Sequence, residues 1–471
     1  MKTIIGLEVH VQLSTATKLF CGCSTDYQDD GPNTHCCPVC LGLPGALPRL
    51  NKKAVEYGLR VAKALDMTVL EESEFARKNY FYPDLAKGYQ ITQHDRPLAV
   101  EGTLEIEDDE GHEKVVRITR VHLEEDPGRL VHVTGGANYS LVDYNRSGIP
   151  LLEIVTEPDL RSPQEARRFL NKLRTVLEYL GVFDGDREGG LRVDANISLE
   201  GSERVEVKNI SSYKGVEKAL TFEVTRQKNL LRRGLAVTRE TRHFMEGRGI
   251  TTSARGKEEE HDYRYFPDPD LRPLRVAGWV AGIDLPELPT ARKNRFMEQY
   301  GLSLDHARTL TGDPRLADFY EEVAPIDPGL AATWVADILL GELNYRDMGI
   351  TAVPPERIAE LLALLRAGTI TDKAGVQVLR EMLDACAAGR PCERPAMIVE
   401  REGLIRAAGD EFTSLVQAVI AANPQAVEDY LSGKEGALNF LVGQVMKETR
   451  GRADPREVRR IVSQSIKMGE V

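Results

Sequence analysis

The stretch Ile5-Gly-Leu-Glu8-Val-His10-Val-Gln12 alternates apolar and polar side chains residue by residue. In an extended strand, residues i and i+2 share a face, so Leu7, Val9 and Val11 point one way and Glu8 and His10 the other. The same period recurs in three further runs. Glu124 lies in Arg120-Val-His-Leu-Glu-Glu-Asp126, Glu153 in Leu151-Leu-Glu-Ile-Val155, and Asp194 and Asn196 in Leu191-Arg-Val-Asp-Ala-Asn-Ile197. Taken singly, each run is an ordinary solvated sheet face. If the four strands are neighbours, they form a wall of oxygen and nitrogen ligands of the kind that holds Mg²⁺ with a nucleotide phosphate. Carboxylates crowded in this way raise one another's pKa unless a cation offsets them.

The rest of the chain sets the frame. Its 471 residues suffice for two to four domains, and 42% hydrophobic with 28% charged residues describes a soluble globular protein. No apolar run of about 18 residues occurs, and Glu8 and His10 interrupt any leader-like stretch, so a cytosolic location with no membrane association is expected. The seven cysteines then read as thiols or metal ligands rather than as a disulfide framework. A net charge of −12 argues against a protein that simply coats nucleic acid. From Leu441 onward, however, seven Lys/Arg face four Asp/Glu, which reverses the sign in the tail.

Period-two patterns predict strands at 3–13, 100–107, 114–123, 129–134, 150–156, 190–199 and 204–210. Asn51 is placed to cap a helix running to Leu65. Ser162-Pro163-Gln164-Glu165 is a capping box opening a helix that Gly181 closes, and a third helix covers 213–233. The proline-rich segment from Tyr265 to Pro289 reads as a linker. Beyond it the pattern is helical, punctuated at Pro354, Gly368, Pro391 and Pro424. The expected organisation is an α+β domain over 1–290, an all-α domain over 291–400 and a small all-α tail over 401–471.

Three other constellations carry chemistry. Cys21-Gly-Cys23 and Cys37-Pro-Val-Cys40 have the spacing of a closed four-thiolate structural zinc site, with Cys36 blurring which of the adjacent pair is the ligand. Cys386 and Cys392 look structural. The segment Arg77-Lys78-Asn-Tyr-Phe-Tyr82-Pro-Asp84-Leu-Ala-Lys87-Gly-Tyr-Gln90 interleaves cations and aromatics that can hold phosphates and stack on a base, although taken alone it reads as an aromatic surface loop. The turn Val142-Asp-Tyr-Asn-Arg146-Ser-Gly148-Ile-Pro150 places Arg146 to meet a carboxylate or phosphate as the chain enters the Glu153 strand. The sequence has no GxxxxGK[ST], no GxGxxG before a helix and no GxSxG, so a P-loop is excluded, a Rossmann site is unsupported and no serine-nucleophile elbow is present.

These motifs carry a resemblance. Gly6-Leu-Glu-Val-His-Val-Gln-Leu13, Cys37-Pro-Val-Cys-Leu-Gly-Leu-Pro-Gly45, Arg77-Lys-Asn-Tyr-Phe-Tyr-Pro-Asp-Leu85, His122-Leu-Glu-Glu-Asp126, Asp143-Tyr-Asn-Arg-Ser-Gly-Ile-Pro150 with Leu-Leu-Glu153-Ile-Val-Thr-Glu-Pro158, Asp262-Tyr-Arg-Tyr-Phe-Pro-Asp-Pro-Asp-Leu271 and Leu438-Asn-Phe-Leu-Val-Gly-Gln-Val-Met-Lys447 resemble the B subunits of tRNA-dependent amidotransferases, the GatB family.

The resemblance implies a glutamine-synthetase-like catalytic cradle with an antiparallel sheet. It implies a ligase forming a carbon–nitrogen bond with glutamine as amide donor. ATP activates the side-chain carboxylate of Glu or Asp on misacylated tRNA(Gln) or tRNA(Asn), and ammonia comes from the amidase subunit GatA, with GatC completing the complex. Carried over position by position, Glu8, His10, Glu124, Glu125, Glu153 and Asp194 would bind Mg²⁺, with His10, Glu124 and Glu125 foremost. Lys78, Arg146 and Lys208 would meet phosphate, with Arg77 and Tyr82 beside the nucleotide. Cys21, Cys23, Cys37 and Cys40 would bind structural Zn²⁺, and the tail would grip the tRNA.

Two other classes fit parts of the sequence. A small-molecule carboxylate–amine ligase explains the acidic strands but not the basic helical tail. A zinc-ribbon nucleic-acid-binding protein explains the cysteines and tail but not the carboxylates.

Overall fold

The computed structural model of the chain describes residues 1–132, 139–187, 189–254, 263–406, 410–449 and 452–468. It divides into two compact units, Met1–Leu288 and Pro289–Val471.

The first unit contains strands β1 (Thr3–Gln12), β2 (Thr68–Val69), β3 (Ala76–Asn79), β4 (Tyr89–Thr92), β5 (Ala99–Glu107), β6 (Glu113–Glu125), β7 (Arg129–His132), β8 (Ser140–Asp143), β9 (Pro150–Thr156), β10 (Leu191–Leu199), β11 (Val205–Ile210), β12 (Glu240–Met245), β13 (Ile250–Ser253) and β14 (Phe266–Pro267). Its long helices are α1 (Lys52–Ala64), α2 (Pro163–Tyr179) and α3 (Tyr213–Arg232). Nine strands form one sheet in the order β13-β12-β11-β10-β1-β9-β6-β5-β2, so the N-terminal strand is central. A smaller sheet, β14-β3-β4, packs through β4 against the end of β6.

The alternation read from the sequence sets the two faces of the large sheet. Ile5, Leu7, Val9 and Val11 are fully buried with Ile154, Val193, Ala195 and Val207, and helices α1, α2 and α3 contribute Leu59, Phe169, Leu173, Val216 and Leu220 to the same core. Helix α1 approaches closely at Gly58, where a Cβ would come within 2.6 Å of Leu98 Cδ2. The opposite face carries the polar residues of every second position.

Three sequence expectations change. The sheet is not antiparallel throughout, because β11 and β12 pair in parallel. Helix α3 lies between them in the chain and supplies the long crossover that a parallel pair needs. The proline-rich segment is not a linker. Phe266–Pro267 pairs with β3, Leu274 bridges to Ser73, and Lys63 Nζ donates to the carbonyls of Val280 and Ile283. Proline suits this short edge strand, which has few ladder bonds to lose. The strand expected at 129–134 ends at His132, and its last two positions lie outside the described residues.

In the second unit every described regular element is helical. Proline opens helices at Pro314, Pro328, Pro355, Pro395 and Pro424, and Asp313 and Asp327 cap two of them through side-chain oxygens. Phe412, Val416, Ile420, Leu441, Val445, Val458 and Val462 form a hydrophobic cluster of their own near the C-terminus. Residues 450–451 and 469–471 of the basic tail lie outside the described residues.

Helix α2 begins as the sequence predicts. Ser162 Oγ accepts from the Glu165 N–H at 3.0 Å, and Glu165 Oε2 accepts from the Arg161 N–H at 2.7 Å and from Lys114 Nζ at 2.6 Å. Ser162→Ala should therefore lower the unfolding free energy of the first unit by about 1 kcal/mol, read from denaturant unfolding followed by circular dichroism.

Candidate metal and phosphate site

The register of β1 builds the polar face. Glu8 stands opposite Asp194 on β10, and His10 opposite Glu153 on β9. On the far side of β9, His122 of β6 pairs with Glu153. Two groups result. Ligand atoms of His10, Glu124 and Glu153 lie within 4.8 Å of one another, as do those of Glu8, Asp194 and Glu206.

In the first group, His10 Nε2 is 3.5 Å from Glu153 Oε2 and 3.8 Å from Glu124 Oε1. His122 Nε2 reaches Glu153 Oε2 at 3.1 Å, while its Nδ1 is buried without a hydrogen-bond partner. Burial opposes charge on His10, but the hydrogen bond and charge of Glu153, followed by Glu124 and Asp194, outweigh it and raise the imidazole to about 9. Burial likewise opposes ionisation of Glu153, yet His122 and His10 hold it well below the usual carboxylate range.

The second group is less well balanced. Burial, then Glu153, Asp194 and Glu206, push Glu8 upward. Burial also raises Asp194, with His10 and Lys208 opposing. Asn196, on the same polar face, donates from Nδ2 to Glu8 Oε1 at 2.9 Å. One imidazole with two carboxylates, beside three further carboxylates, is a donor set that suits hard divalent cations, and a cation there would relieve the repulsion that raises Glu8 and Asp194.

Cations flank this face. Lys78 Nζ lies 4.7 Å from the Tyr263 ring centroid and 6.0 Å from that of Tyr80. Burial opposes its charge, but Glu124 first, then Tyr265, raise it above the ordinary lysine range. Tyr265 stacks on His94 at 3.9 Å. Arg192, opposite His10, is held by buried Asp126 at 2.6 Å and also feels Glu124 and Asp194. Lys208 lies 3.6 Å from Glu206.

Several expected residues point elsewhere. Glu125 follows Glu124 in the strand and so turns to the other side. There its Oε1 accepts from the Ile91 N–H at 2.9 Å and from Lys87 Nζ. It lines a separate cavity of about 190 Å³ with Lys18, Cys21, Cys40 and Lys87. Arg77 is engaged by Asp268 at 2.7 Å and Asp270 at 2.9 Å, and stacks over Tyr89. Arg146 donates to the carbonyls of Pro127 at 3.0 Å and Gly128 at 2.6 Å, holding its own turn. Tyr82 is exposed in the turn after β3, where its carbonyl accepts from Leu85 N.

Conversely, His122, Glu206 and Arg192 were not singled out from the sequence. Each stands two residues from an expected ligand or cation, so the period-two rule already put them on the same face.

The cysteines form a second centre. Cys21, Cys23, Cys37 and Cys40 converge, and Cys36 is not among them. The hydrogen bond from Cys21 lowers Cys40 to about 4, against burial and aided by the Cys37 backbone and Lys18. Cys21 is raised in exchange, chiefly through Cys40, and burial followed by Cys37 takes Cys23 up to about 11. Fully buried Lys18 donates to the carbonyls of His35 at 2.7 Å and Tyr144 at 3.3 Å, with its Nζ 3.7 Å from Cys40 Sγ. Four convergent sulfurs with an adjacent ammonium fit a closed tetrahedral metal.

A sheet unit bearing such a face, followed by helices, matches a catalytic-domain family. Residues 3–281 match the GatB/GatE catalytic domain, and residues 318–466 match the GatB domain. The chain belongs to the GatB family. It is 66% identical over 474 residues to the B subunit of the aspartyl/glutamyl-tRNA(Asn/Gln) amidotransferase of Methanoregula boonei, covering 99% of this chain and 98% of that protein. The protein of the same name from Methanospirillum hungatei is 66% identical over 468 residues, covering 99% and 98%. That from Haloarcula marismortui is 52% identical over 500 residues, again covering 99% and 98%. Among the described residues no helix is long and apolar enough to cross a membrane.

A cation that takes the Nε2 lone pair of His10 must displace its proton. The affinity of chelator-treated protein for Mn²⁺ should therefore increase as pH rises toward about 9. Electron paramagnetic resonance titration should show this slope, and it should flatten in His10→Gln.

Proposed function

We propose that this chain activates the side-chain carboxylate of Glu or Asp misacylated on tRNA(Gln) or tRNA(Asn) by phosphorylation with ATP, and then directs its amidation. The product is Gln-tRNA(Gln) or Asn-tRNA(Asn). In this reading the chain is the GatB component of a cytosolic heterotrimeric ligase, with glutamine as amide donor. The amidase GatA releases the ammonia and GatC ties the complex together. The acidic face also fits kinship with the glutamine-synthetase-like class.

The observation that carries the reading is the pair of adjoining ligand groups on one sheet face, ringed by Lys78, Arg192 and Lys208. A triphosphate meeting a carboxylate brings like charges together. At 4 Å and an effective dielectric constant of 20 this costs about 4 kcal/mol per unit-charge pair, so a site for that encounter must be rich in positive charge. Mg²⁺ held by His10, Glu124 and Glu153, and at Glu8, Asp194 and Glu206, would supply neutralisation and orientation of phosphate oxygens.

The chain's own residues do the rest. Glu153 is fixed between two imidazoles, so its lone pairs are aimed before substrate arrives. Arg192 is braced by Asp126 and presents its charge to the face without collapsing onto Glu124 or Asp194. Lys78, seated among tyrosine rings, is placed to receive an anionic oxygen beside Glu124. The tyrosine–histidine stack next to it offers flat faces to a base of the nucleotide or of the tRNA end. The four-cysteine centre would hold structural Zn²⁺ with Lys18 offsetting its thiolate charge, and the tail helices would contact the tRNA away from the acceptor end.

The test is amide formation by the reconstituted complex on each misacylated tRNA, with ATP omitted as control. Glu124→Gln should reduce ATP-dependent amidation by roughly 10–100-fold while leaving binding of charged tRNA intact. Undiminished turnover would remove Glu124 from the reaction. Deleting the chain beyond residue 400 should weaken tRNA binding, and unaffected binding would contradict the role given to the tail.

A further inference from the structure

The helix Asp372–Ala387 carries Cys386 in its last turn. Gly389, at φ +68°, reverses the chain just beyond the helix end, a conformation that glycine adopts without strain. Pro391 then directs Cys392 back over that end. The two sulfurs are 2.7 Å apart as thiols, well inside the roughly 3.5–4.0 Å at which even carbon atoms pack. Neither cysteine belongs to a metal-binding cluster among the described residues.

The segment around the pair is anchored on both sides. Arg357 Nε donates to the Cys392 carbonyl at 3.2 Å, Arg394 pairs with Glu360 at 3.1 Å, and Arg401 spans Glu393 and Glu381. Both thiols are half-buried. The backbone therefore holds the two side chains face to face before any bond forms, which removes the approach cost of linking them.

We propose that Cys386 and Cys392 form a reversible disulfide that clips the end of this helix to the start of the next, with a low-molecular-weight disulfide as oxidant. Burial and the neighbouring Cys386 sulfur push the Cys392 thiol up to about 12. Cys386 loses its proton, and its thiolate attacks one sulfur of the oxidant, breaking that S–S bond and expelling one thiolate. Cys392 then gives up its proton as its sulfur displaces the second thiolate. Two protons leave the protein and two small thiols form, so the cysteines are oxidised by two electrons and the oxidant is reduced by two. The ring closed is seven residues, Cys386 to Cys392. Its closure stiffens the junction between helix Asp372–Ala387 and helix Pro395–Arg401. This site is independent of the ligand face and of the four-cysteine centre, both of which lie in the first unit.

The sequence provides a clean assay. Pro391 and Pro395 block tryptic cleavage after Arg390 and Arg394, so both cysteines fall in one peptide, Glu381–Arg401, apart from the other five. Full-length protein should be incubated with glutathione disulfide, alkylated with iodoacetamide, digested and weighed. The expected peptide has lost two hydrogens and carries no alkyl group, whereas dithiothreitol treatment restores two alkylated cysteines. Reduction should also lower the thermal midpoint of the wild-type chain but not that of the Cys386→Ser, Cys392→Ser double variant. Two alkylated cysteines after glutathione disulfide, or stable glutathione adducts on either, would overturn the proposal.

Discussion

The register of the first strand between its two neighbours is the constraint on which the site depends. Pairing β1 antiparallel to both β9 and β10 sets His10 against Glu153 and Glu8 against Asp194. A slip of one residue would turn every ligand into the core and every core residue outward. The apolar face decides the contest. Ile5, Leu7, Val9 and Val11 are fully buried, and each such side chain contributes roughly 1.5–3 kcal/mol. Together they outweigh the few kcal/mol by which crowded carboxylates resist one another across the strands. The hydrophobic side of the sheet thus holds the polar side in an arrangement that the polar groups alone would not adopt.

That arrangement is electrostatically graded. The His10–Glu124–Glu153 group carries its own counter-charge, because two imidazoles share Glu153. The Glu8–Asp194–Glu206 group lacks such a shared imidazole pair, and burial with mutual repulsion raises Glu8 and Asp194 although His10 and Lys208 oppose it. Arg192 stands between the two and is kept in place by Asp126, whose side chain is wholly buried and also accepts from Gln12 at 2.8 Å. The overall charge of −12 says little about this local balance, which rests on a handful of cations brought in from three different elements.

Much of this was legible in the chain because a β-strand writes its geometry with period two. The four ligand-bearing strands, the capped helix at Ser162 and the change to helices beyond residue 289 all follow from local rules. The same rule, applied strictly, separates Glu124 from Glu125 and brings in His122, Arg192 and Glu206. Resemblance carried Glu125 onto the ligand face, and parity takes it off. What local rules could not supply were long-range partnerships. Arg77 looks free in sequence, but Asp268 and Asp270, almost two hundred residues away, occupy it. Arg146 looks aimed at a ligand, but the carbonyls of Pro127 and Gly128 take its donors. The proline-rich run lacks strand propensity and becomes an edge strand only because β3 offers it a partner. Cys36 and Cys37 were indistinguishable by spacing, and the three-dimensional convergence of the other sulfurs separates them.

The central place of β1 also bears on how the protein is made. Strand β1 precedes both of its sheet partners, residues 150–156 and 191–199, in the chain, so its two hydrogen-bonding edges stay open while well over a hundred residues are added. A naked, apolar, open-edged strand is a hazard for aggregation during synthesis. Glu8 and His10 place polar groups on every second position of that waiting strand and act as gatekeepers against pairing with another nascent chain. The polar residues of the finished sheet face thus interrupt the apolar strand before that face exists.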